Sequence, residues 1–461
     1  MRRHRRGGPG RAGPLRSDGR RHHPHPAGGR KHRGTDGHQG GGTLIAPAAA
    51  ARLLDGPAID TGAESFVAHR NRLGQLPRFI RGQLIDVVQE AGLRGRGGGA
   101  YPTARKWAAT RGRSGGRAVV VGNGAETEPM SRKDRTLMVA RPQLVLDGIL
   151  LAAEAVSAER AVLYISRAYD DAAAAISRAI EERRATGEIA VAVTVVRAPH
   201  RYVAGEETAA IACLNGGAAR PGVVPPRPFE RGVDGRPTVV QNVETLAHAA
   251  LIARQGAQAY RSAGVEDATG TVLVTMAGAV HSAGVYELAG GSTIAQAVSA
   301  AGGATSSVAA ILVGGYFGRW VTADDAWDLR PGIDLPLGSG VVAVFPHGHC
   351  GLAQAAALVG FLARESARQC GPCEHGLAAL ATTTAQLAAG GAKPRDAERL
   401  QRWIAQIAGR GACHHPDGAL VLLSSALRVF SGDVSTHLRR GRCDRNPALL
   451  MPAPDWTRKG R

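Results

Sequence analysis

From about residue 60 the chain settles into short apolar runs separated by polar turns. Arg81–Ala91 places apolar residues at helical spacing and stops at Gly92, a natural helix C-cap. A glycine-rich stretch follows, and then Ala118–Val121, an uninterrupted apolar run that predicts a buried strand. Gln143–Ser157 predicts an apolar helix, Ala161–Ser166 a strand, Asp170–Arg184 a helix and Ala190–Arg197 a strand. Strands alternating with helices at this spacing imply right-handed crossovers and a parallel sheet, hence a doubly wound α/β domain.

Near residue 271 the period changes. Thr271–Ala277 and Gly284–Leu288 predict short strands, Ile294–Ala301 a short helix, and Ala310–Val313 and Arg319–Val321 further strands, together a small α+β module. Beyond Cys350 the period is helical over Leu352–Ser366, Gly376–Ala389, Pro394–Ile407 and Ala419–Val429, which predicts a helical bundle. The residues after 436 are basic and punctuated by proline, and an exposed extension is expected there. The boundaries that follow are a basic arm over 1–55, an α/β domain over 56–260, the α+β module over 270–345, the bundle over 350–435 and a basic tail over 436–461. No internal repeat is visible.

Composition changes this picture in two places. Aromatic residues make up only 4% of the 461 residues, so core volume must come from Ala, Val and Leu. The formal net charge of +19 invites a nucleic-acid partner, but it is unevenly spread. Residues 1–43 hold eleven Lys/Arg against two Asp, and residues 436–461 hold seven against two, leaving only +5 on the 392 residues between. The arm is Arg, Gly, His and Pro with almost nothing apolar, so disorder is expected. A solvated tail or a misassigned upstream start fits it better than an arm for nucleic acid or acidic lipid, because no aromatics are interleaved with the charge. No uncharged apolar run approaches the roughly 18 residues of a membrane span, and the Arg-rich start lacks a secretory h-region. Six cysteines in so long a chain point to a reduced, cytoplasmic setting with thiols free for metal.

Four segments carry candidate chemistry. Gly92–Trp107 (GLRGRGGGAYPTARKW) leaves its backbone uncovered at Gly95, Gly97, Gly98 and Gly99, so its N–H groups can approach a phosphate or a flat ring, with Arg94, Arg96 and Lys106 adding positive charge. It precedes its strand, so it is not the dinucleotide fingerprint. Asn123-Gly124-Ala125-Glu126-Thr127-Glu128-Pro129 follows the first strand, and Tyr202-Val203-Ala204-Gly205-Glu206-Glu207-Thr208 follows the third. Ligands of open parallel sheets bind outside such strand ends, where tandem carboxylates can meet ribose hydroxyls or flavin-ring edges. Cys370-Gly371-Pro372-Cys373 is a CxxC with a third cysteine at Cys413, a pattern that converges thiolates on one metal or one iron–sulfur face. His375, His414 and His415 lie near in sequence as nitrogen ligands, or as part of an exposed basic face. There is no triad or dyad, and no catalytic acid or base is assigned.

Taken in order, these motifs resemble the NADH-binding flavoprotein subunit of respiratory complex I and its relatives in soluble hydrogenases and formate dehydrogenases. The family's GLRGRGGAGFPTGxKW is similar to Gly92–Trp107, its CNADExEPGxxKDR to Gly122–Pro129 with Lys133-Asp134-Arg135, and its RYICGEETAL to Arg201–Ala210. Its GKPTxVNNVETL resembles Gly235–Leu246, and its ESCGxCxPCRxG with a distant Cys resembles Glu365–Gly376 with Cys413. The module over 271–322, with GAVHSAGVYEL at Gly278–Leu288, is similar to the family's SLBB-like β-grasp domain.

The resemblance implies a Rossmann-like FMN domain, a β-grasp domain and an iron–sulfur bundle. It implies FMN held by Gly95, Arg96, Gly97, Gly98, Gly99, Lys106, Asn123, Glu126 and the turn Tyr202, Gly205, Glu206, Glu207, with Gln241, Asn242 and Thr245 on the phosphate side. NADH would lie over the flavin, beside Glu128 and Glu207, with Tyr101 stacking. Electrons would leave through a 4Fe-4S cluster on Cys370, Cys373 and Cys413 to ferredoxin-type iron–sulfur partners. The setting would be cytoplasmic, peripheral to the membrane through partner subunits, with no nucleic acid. The chain also departs from the pattern. The first cluster cysteine is Ala367, which calls for Cys350, His375 or His414 as substitute, or for a three-iron or absent cluster. Near the flavin the family's Asp is Ala125 and the first Asn of its pair is Gln241. The adenine side lacks rings at Ala109 and Arg227 and a cation at Val224, each stack being worth about 0.5–1.5 kcal/mol. That loss favours, as the second reading, a flavin/iron–sulfur module with a donor such as ferredoxin.

Overall fold

The alternation of strands and helices resolves into a parallel sheet whose strand order reverses at its first strand. The computed structural model describes residues 52–80 and 82–456; the arm expected over residues 1–43 lies outside them. Helices α1 (Phe66–Leu73), α2 (Gln83–Glu90) and α3 (Thr103–Ser114) lead in. They are followed by β1 (Ala118–Gly124), α4 (Lys133–Ala140), α5 (Pro142–Ala155), β2 (Ala158–Ser166), α6 (Asp170–Ala185), β3 (Ala192–Ala198), α7 (Glu207–Leu214), β4 (Thr238–Asn242) and α8 (Val243–Arg261). All pairings are parallel in the order β3-β2-β1-β4. Consecutive strands run outward from β1 to β3, and β4 returns to its other edge, so the switch point lies between β1 and β4.

Both faces of this sheet are covered. Val120 faces a large core with α5 and α8, while its neighbours Val119 and Val121 face a smaller one containing Ala210 and Ile211 of α7. Burial on two sides is why the strand reads as a continuous apolar run. Helices α5 and α8 touch at Gly148, where a Cβ would stand 2.0 Å from the Leu246 carbonyl oxygen.

A two-residue ribbon, β5 (Gly264–Val265) with β6 (Ala268–Thr269), leads to β7 (Thr271–Gly278), β8 (Gly284–Ala289), α9 (Ile294–Ala300), β9 (Val308–Val313), β10 (Arg319–Thr322), α10 (Ala323–Ala326) and β11 (Val341–Pro346). These strands form a sheet of order β10-β9-β11-β7-β8, with β11 parallel to β7 and the other pairs antiparallel. The chain then enters α11 (Gly351–Arg364), a π-turn over Pro372–Leu377, α12 (Ala378–Ala388), α13 (Pro394–Ile407), α14 (His415–Val429) and α15 (Ser431–Arg440). Trp320 and Phe345 of the sheet meet Phe430 edge to face at 5.0 and 5.5 Å, joining this sheet to the bundle in one core.

Several expectations change. The helix predicted to begin at Arg81 begins at Gln83 behind Gly82, and the CxxC helix opens on a wide π-turn. Both ends of the described chain are packed. Leu53 is fully buried and the N–H groups of Leu53 and Leu54 donate to Glu287, so these residues pack against the body of the protein. The extension expected after 436 is exposed over 444–450 but packed at both ends. Residues 436–440 finish α15, and the following strap returns over the bundle with Met451 fully buried. Gln354 fastens it, accepting from Leu450 and Met451 N–H and donating to Met451 O. No single helix among the described residues is long and apolar enough to cross a membrane.

Candidate functional site

The crevice at the switch point is built from two adjacent strand ends. In the β1–β4 register Gly122 stands opposite Gln241 and Asn123 opposite Asn242. Asn123 Nδ2 donates to Gly205 O at 2.8 Å, tying the end of β1 to the turn after β3. Asn242 caps α8, its Oδ1 accepting from Glu244 N at 3.0 Å, and its Nδ2 donates to Asp134 at 2.7 Å. Gln241 is buried and its Oε1 has no hydrogen-bond partner.

The glycine loop closes on itself and leans over this crevice. Gly95 N–H donates to Tyr101 O at 2.9 Å, and Arg96 N–H donates to Thr245 Oγ1 at 2.8 Å, which anchors the loop to the first turn of α8. Gly98 has φ +104°, a backbone shape that side chains avoid, and a Cβ on Gly99 would meet nothing within 4 Å. Gly97 sits over Asn242, so the loop tip lies against the N-terminus of α8. Tyr101 is 54% exposed beside it. Arg96 does not offer its charge to the crevice: its guanidinium donates to Tyr260 Oη, Thr269 O and Thr271 O and locks the loop to the module behind. Lys106 does offer charge, pairing with Glu207 at 2.7 Å and donating to Val240 O at 3.2 Å.

The carboxylates divide between structure and cleft. Glu126, at φ +36°, accepts from Asp134 N, Arg135 N and Ser131 Oγ, so both oxygens are spent on the start of α4. Glu206 caps α7 by accepting from Thr208 N and Ala209 N at 2.9 and 3.0 Å. Glu126 is thus used up by the start of α4, whereas Glu206 caps α7 through Oε2 alone and Glu207 pairs with Lys106. Glu128 is buried, accepts from Tyr202 Oη at 3.0 Å and Tyr316 N at 2.9 Å, and leaves Oε1 unpartnered.

Burial pushes the Glu128 carboxyl up to about 7 despite those hydrogen bonds. An acid whose folded pKa is raised adds stability that is complete below its unfolded value of 4.5 and lost as pH rises through 7. This group should therefore remove about 3 kcal/mol between those limits. Glu128→Gln should flatten that part of the profile; urea unfolding at pH 5 and pH 8 measures it, and an unchanged slope would refute the assignment.

Tyr202 connects the crevice to the thiols. Its ring meets Phe317, Phe361 and His415 edge to face, the last at 5.8 Å. Its N–H and the Arg201 guanidinium both donate to the buried carboxylate of Glu365. His415 lies two residues beyond Cys413, with Nε2 on Leu362 O at 2.8 Å, and burial lowers its pKa to about 4. Burial pushes the Cys373 thiol up to about 12, and Cys370 and Cys413 lie near enough to push the same way. The Ser366 hydroxyl lies against Cys373, next to Ala367. His375 and His414 are exposed, and Cys350 is drawn into a different group with His437 and Cys443, which removes it as the substitute cluster ligand. Residue patterning gives no signal for Tyr316 and Phe317. Glu365 heads the cysteine motif, and that position is the signal by which the sequence could have marked it.

Two cavities flank these residues. One of about 750 Å³ runs beneath the glycine loop and is lined by Arg94, Arg96, Arg105 and Gly338. The other, about 360 Å³, lies between α7 and the 222–235 loop, lined by Thr208, Asn215, Val223, Pro226 and Arg231 and by no aromatic ring. Phe229 beside it is engaged by Arg113, 5.1 Å over its ring. The uncovered loop tip and Lys106 fit the phosphate of a flavin, and the orphaned Gln241 oxygen fits one of its hydroxyl or ring N–H donors. Three gathered thiols fit an iron–sulfur cluster, with one position unfilled by cysteine.

The description of the matching family model is the Nuo51 FMN-binding domain over residues 88–250. The NADH-ubiquinone oxidoreductase-F iron-sulfur binding region matches 347–437 and the SLBB domain 273–315. The chain is 30% identical over 398 residues to the NADH-quinone oxidoreductase F 2 subunit of Rhizobium meliloti, covering 82% of this chain and 93% of that protein. The NADH-quinone oxidoreductase F subunit of Escherichia coli is 30% identical over 384 residues, 78% of this chain and 85% of its own. Among solved structures, an NAD+-reducing [NiFe]-hydrogenase in the H2-reduced state superposes with a TM-score of 0.74 at 31% identity, over 79% of this chain. The chain spans 63% of that hydrogenase chain.

Proposed function

The chain belongs to the family of NADH-quinone oxidoreductase F subunits, and from that premise we propose that it is an electron-entry subunit oxidising NADH through FMN to an iron–sulfur centre. The observation that carries this reading is Tyr202, one buried side chain that touches Glu128 in the crevice and His415 beside the thiols. FMN, when bound, supplies the two-electron to one-electron conversion that no side chain here can perform.

The chain's own residues bind, space and exclude water. The loop backbone at Gly97–Gly99 and the Lys106 ammonium would hold the phosphate, with Asn123, Gln241 and Asn242 beneath and Tyr101 stacking from outside. Glu207 sets the position of Lys106 and stands where a ribose hydroxyl can meet it. Glu128 and Tyr202, hydrogen-bonded to each other in a buried setting, keep water from the path between crevice and thiols. Cys370, Cys373 and Cys413 would hold the cluster, and Glu365 fixes the Arg201–Tyr202 turn against it. Electrons would pass to a ferredoxin-type partner in an assembly peripheral to the cytoplasmic face of a membrane.

Lys106→Met should weaken FMN by about 1.5–3 kcal/mol, roughly ten- to a hundredfold in Kd, because a charged hydrogen bond is lost. Flavin fluorescence quenching measures it, and NADH-driven ferricyanide reduction should fall in step when FMN is limiting. An unchanged Kd would remove Lys106 from the site. The ring-free cavity beside α7 favours one second reading, a reduced ferredoxin-type protein as donor. Ferricyanide reduction by such a protein but not by NADH would select it.

A further inference from the structure

Three ligand-type side chains meet away from the crevice and the Cys370–Cys373–Cys413 trio. The ligand atoms of Cys350, His437 and Cys443 all lie within 4.8 Å of one another, and Cys350 Sγ is 3.5 Å from His437 Nε2. A metal bonded to sulfur at about 2.3 Å and to nitrogen at about 2.0–2.1 Å, with a tetrahedral angle between them, separates those two atoms by about 3.5–3.6 Å. Cys350 and His437 are buried and Cys443 is half-buried. Both cysteines are free thiols. Ala353 N–H points at Cys350 Sγ at 3.4 Å, the kind of outer hydrogen bond that steadies a thiolate ligand. Asp433, one turn before His437 on α15, accepts from Gly351 N at 2.9 Å, which sets α15 against the start of α11 and brings His437 to Cys350.

We propose that Cys350, His437 and Cys443 bind one zinc ion that pins the C-terminal strap to the bundle. Two thiolates and an imidazole suit a borderline-soft ion of tetrahedral habit and not magnesium or calcium. The fourth position is open to solvent, because Asp433 is held by Gly351 N and by Arg445. The ion joins the N-cap of α11 to two points that are near each other but remote from it in sequence, the last turn of α15 and the first residues of the strap. At this end the strap's own backbone bonds are a short bridge, Cys350 N to Asn446 O at 2.8 Å and Asn446 N to Gly348 O at 2.9 Å. From that anchor it runs to Trp456, whose ring packs on Phe361 at 5.2 Å and on His200 at 4.1 Å, two residues from Tyr202. The zinc thereby holds the cover over the aromatic hinge between crevice and thiols. None of this depends on NADH being the donor.

The test is zinc and iron counting by elemental analysis on the full-length protein produced with zinc supplied. About one zinc per chain is expected in the unaltered protein. Cys443→Ser and His437→Gln should each lose it while iron and flavin contents hold; Cys370→Ser should lose iron and keep zinc. Chelation should speed tryptic cleavage after Arg442 and Arg445. Cys443 is half-buried and near the chain end, so its serine variant tests the ligand without emptying a core position. Absence of stoichiometric zinc, an intact-mass signature of a Cys350–Cys443 disulfide, or zinc that departs with Cys370→Ser and not with Cys443→Ser would each overturn the proposal.

Discussion

Cys373→Ser is expected to strip iron from the protein and cut electron transfer to an external iron–sulfur acceptor by at least about a hundredfold. Removing a mere outer-shell partner of a metal site already costs about 10–100-fold, and a directly ligating thiolate lies beyond that range. The position leaves little room for compensation. Cys373 is buried inside the π-turn, Cys370 and Cys413 are its neighbours, and Ala367 offers no thiol to replace it. Serine keeps the volume and the backbone bond from Cys373 N to Cys370 O, so a loss would reflect the sulfur and not the fold. Iron content and acceptor turnover are the readouts, with flavin content as the control. Full iron in the variant would place the cluster elsewhere.

The second large effect concerns the scaffold under the crevice. Asp147→Ala should destabilise the protein by about 3–5 kcal/mol, because removing one member of a buried charge network leaves the others uncompensated. Asp147 on α5 receives His69 Nε2 and Arg183 Nη2, both at 2.6 Å, and also Arg254 of α8. These partners hold its carboxyl down at about 2 although burial works the other way. An acid with a lowered folded pKa contributes stability above its unfolded value of 3.8, lost as pH falls toward 2. The deficit of the variant should accordingly be full at pH 7 and shrink below pH 4. Urea unfolding at both values measures it. A deficit below about 1 kcal/mol at pH 7 would mean that the network relaxes around the gap.

What could be read from the sequence followed from periodicity. Helices α5, α6 and α13 and the first three strands fall within a few residues of their predicted limits, because their apolar spacing is set by burial on one or two faces. Helix α3 carries no such pattern, because Thr103–Ser114 is rich in Arg, Ala and Thr, and Trp107 is the one large apolar residue on its buried side. Strand β4 hides inside a motif, and its five residues are too few to show a period. At the site, residue types were legible but directions were not. Arg96, Glu126 and Glu206 are the residues that chemistry would choose for a ligand, yet each is turned to a helix start or a loop anchor, because unsatisfied backbone groups lay closer. The meeting of Cys350 with His437 and Cys443, across 87 residues or more, is a product of tertiary packing that spacing does not encode.

The central claim is that NADH reduces a flavin held at the β1–β4 switch point and that the electrons continue to the thiol-bound cluster. Its most direct test is the visible spectrum of the protein purified without oxygen, recorded before and after an excess of NADH, since the flavin takes two electrons and the cluster one more. The account predicts a flavin band that bleaches, accompanied by loss of the broad iron–sulfur absorbance. A flavin that NADH leaves untouched and only a stronger reductant bleaches, or a protein that binds no flavin at all, would contradict it.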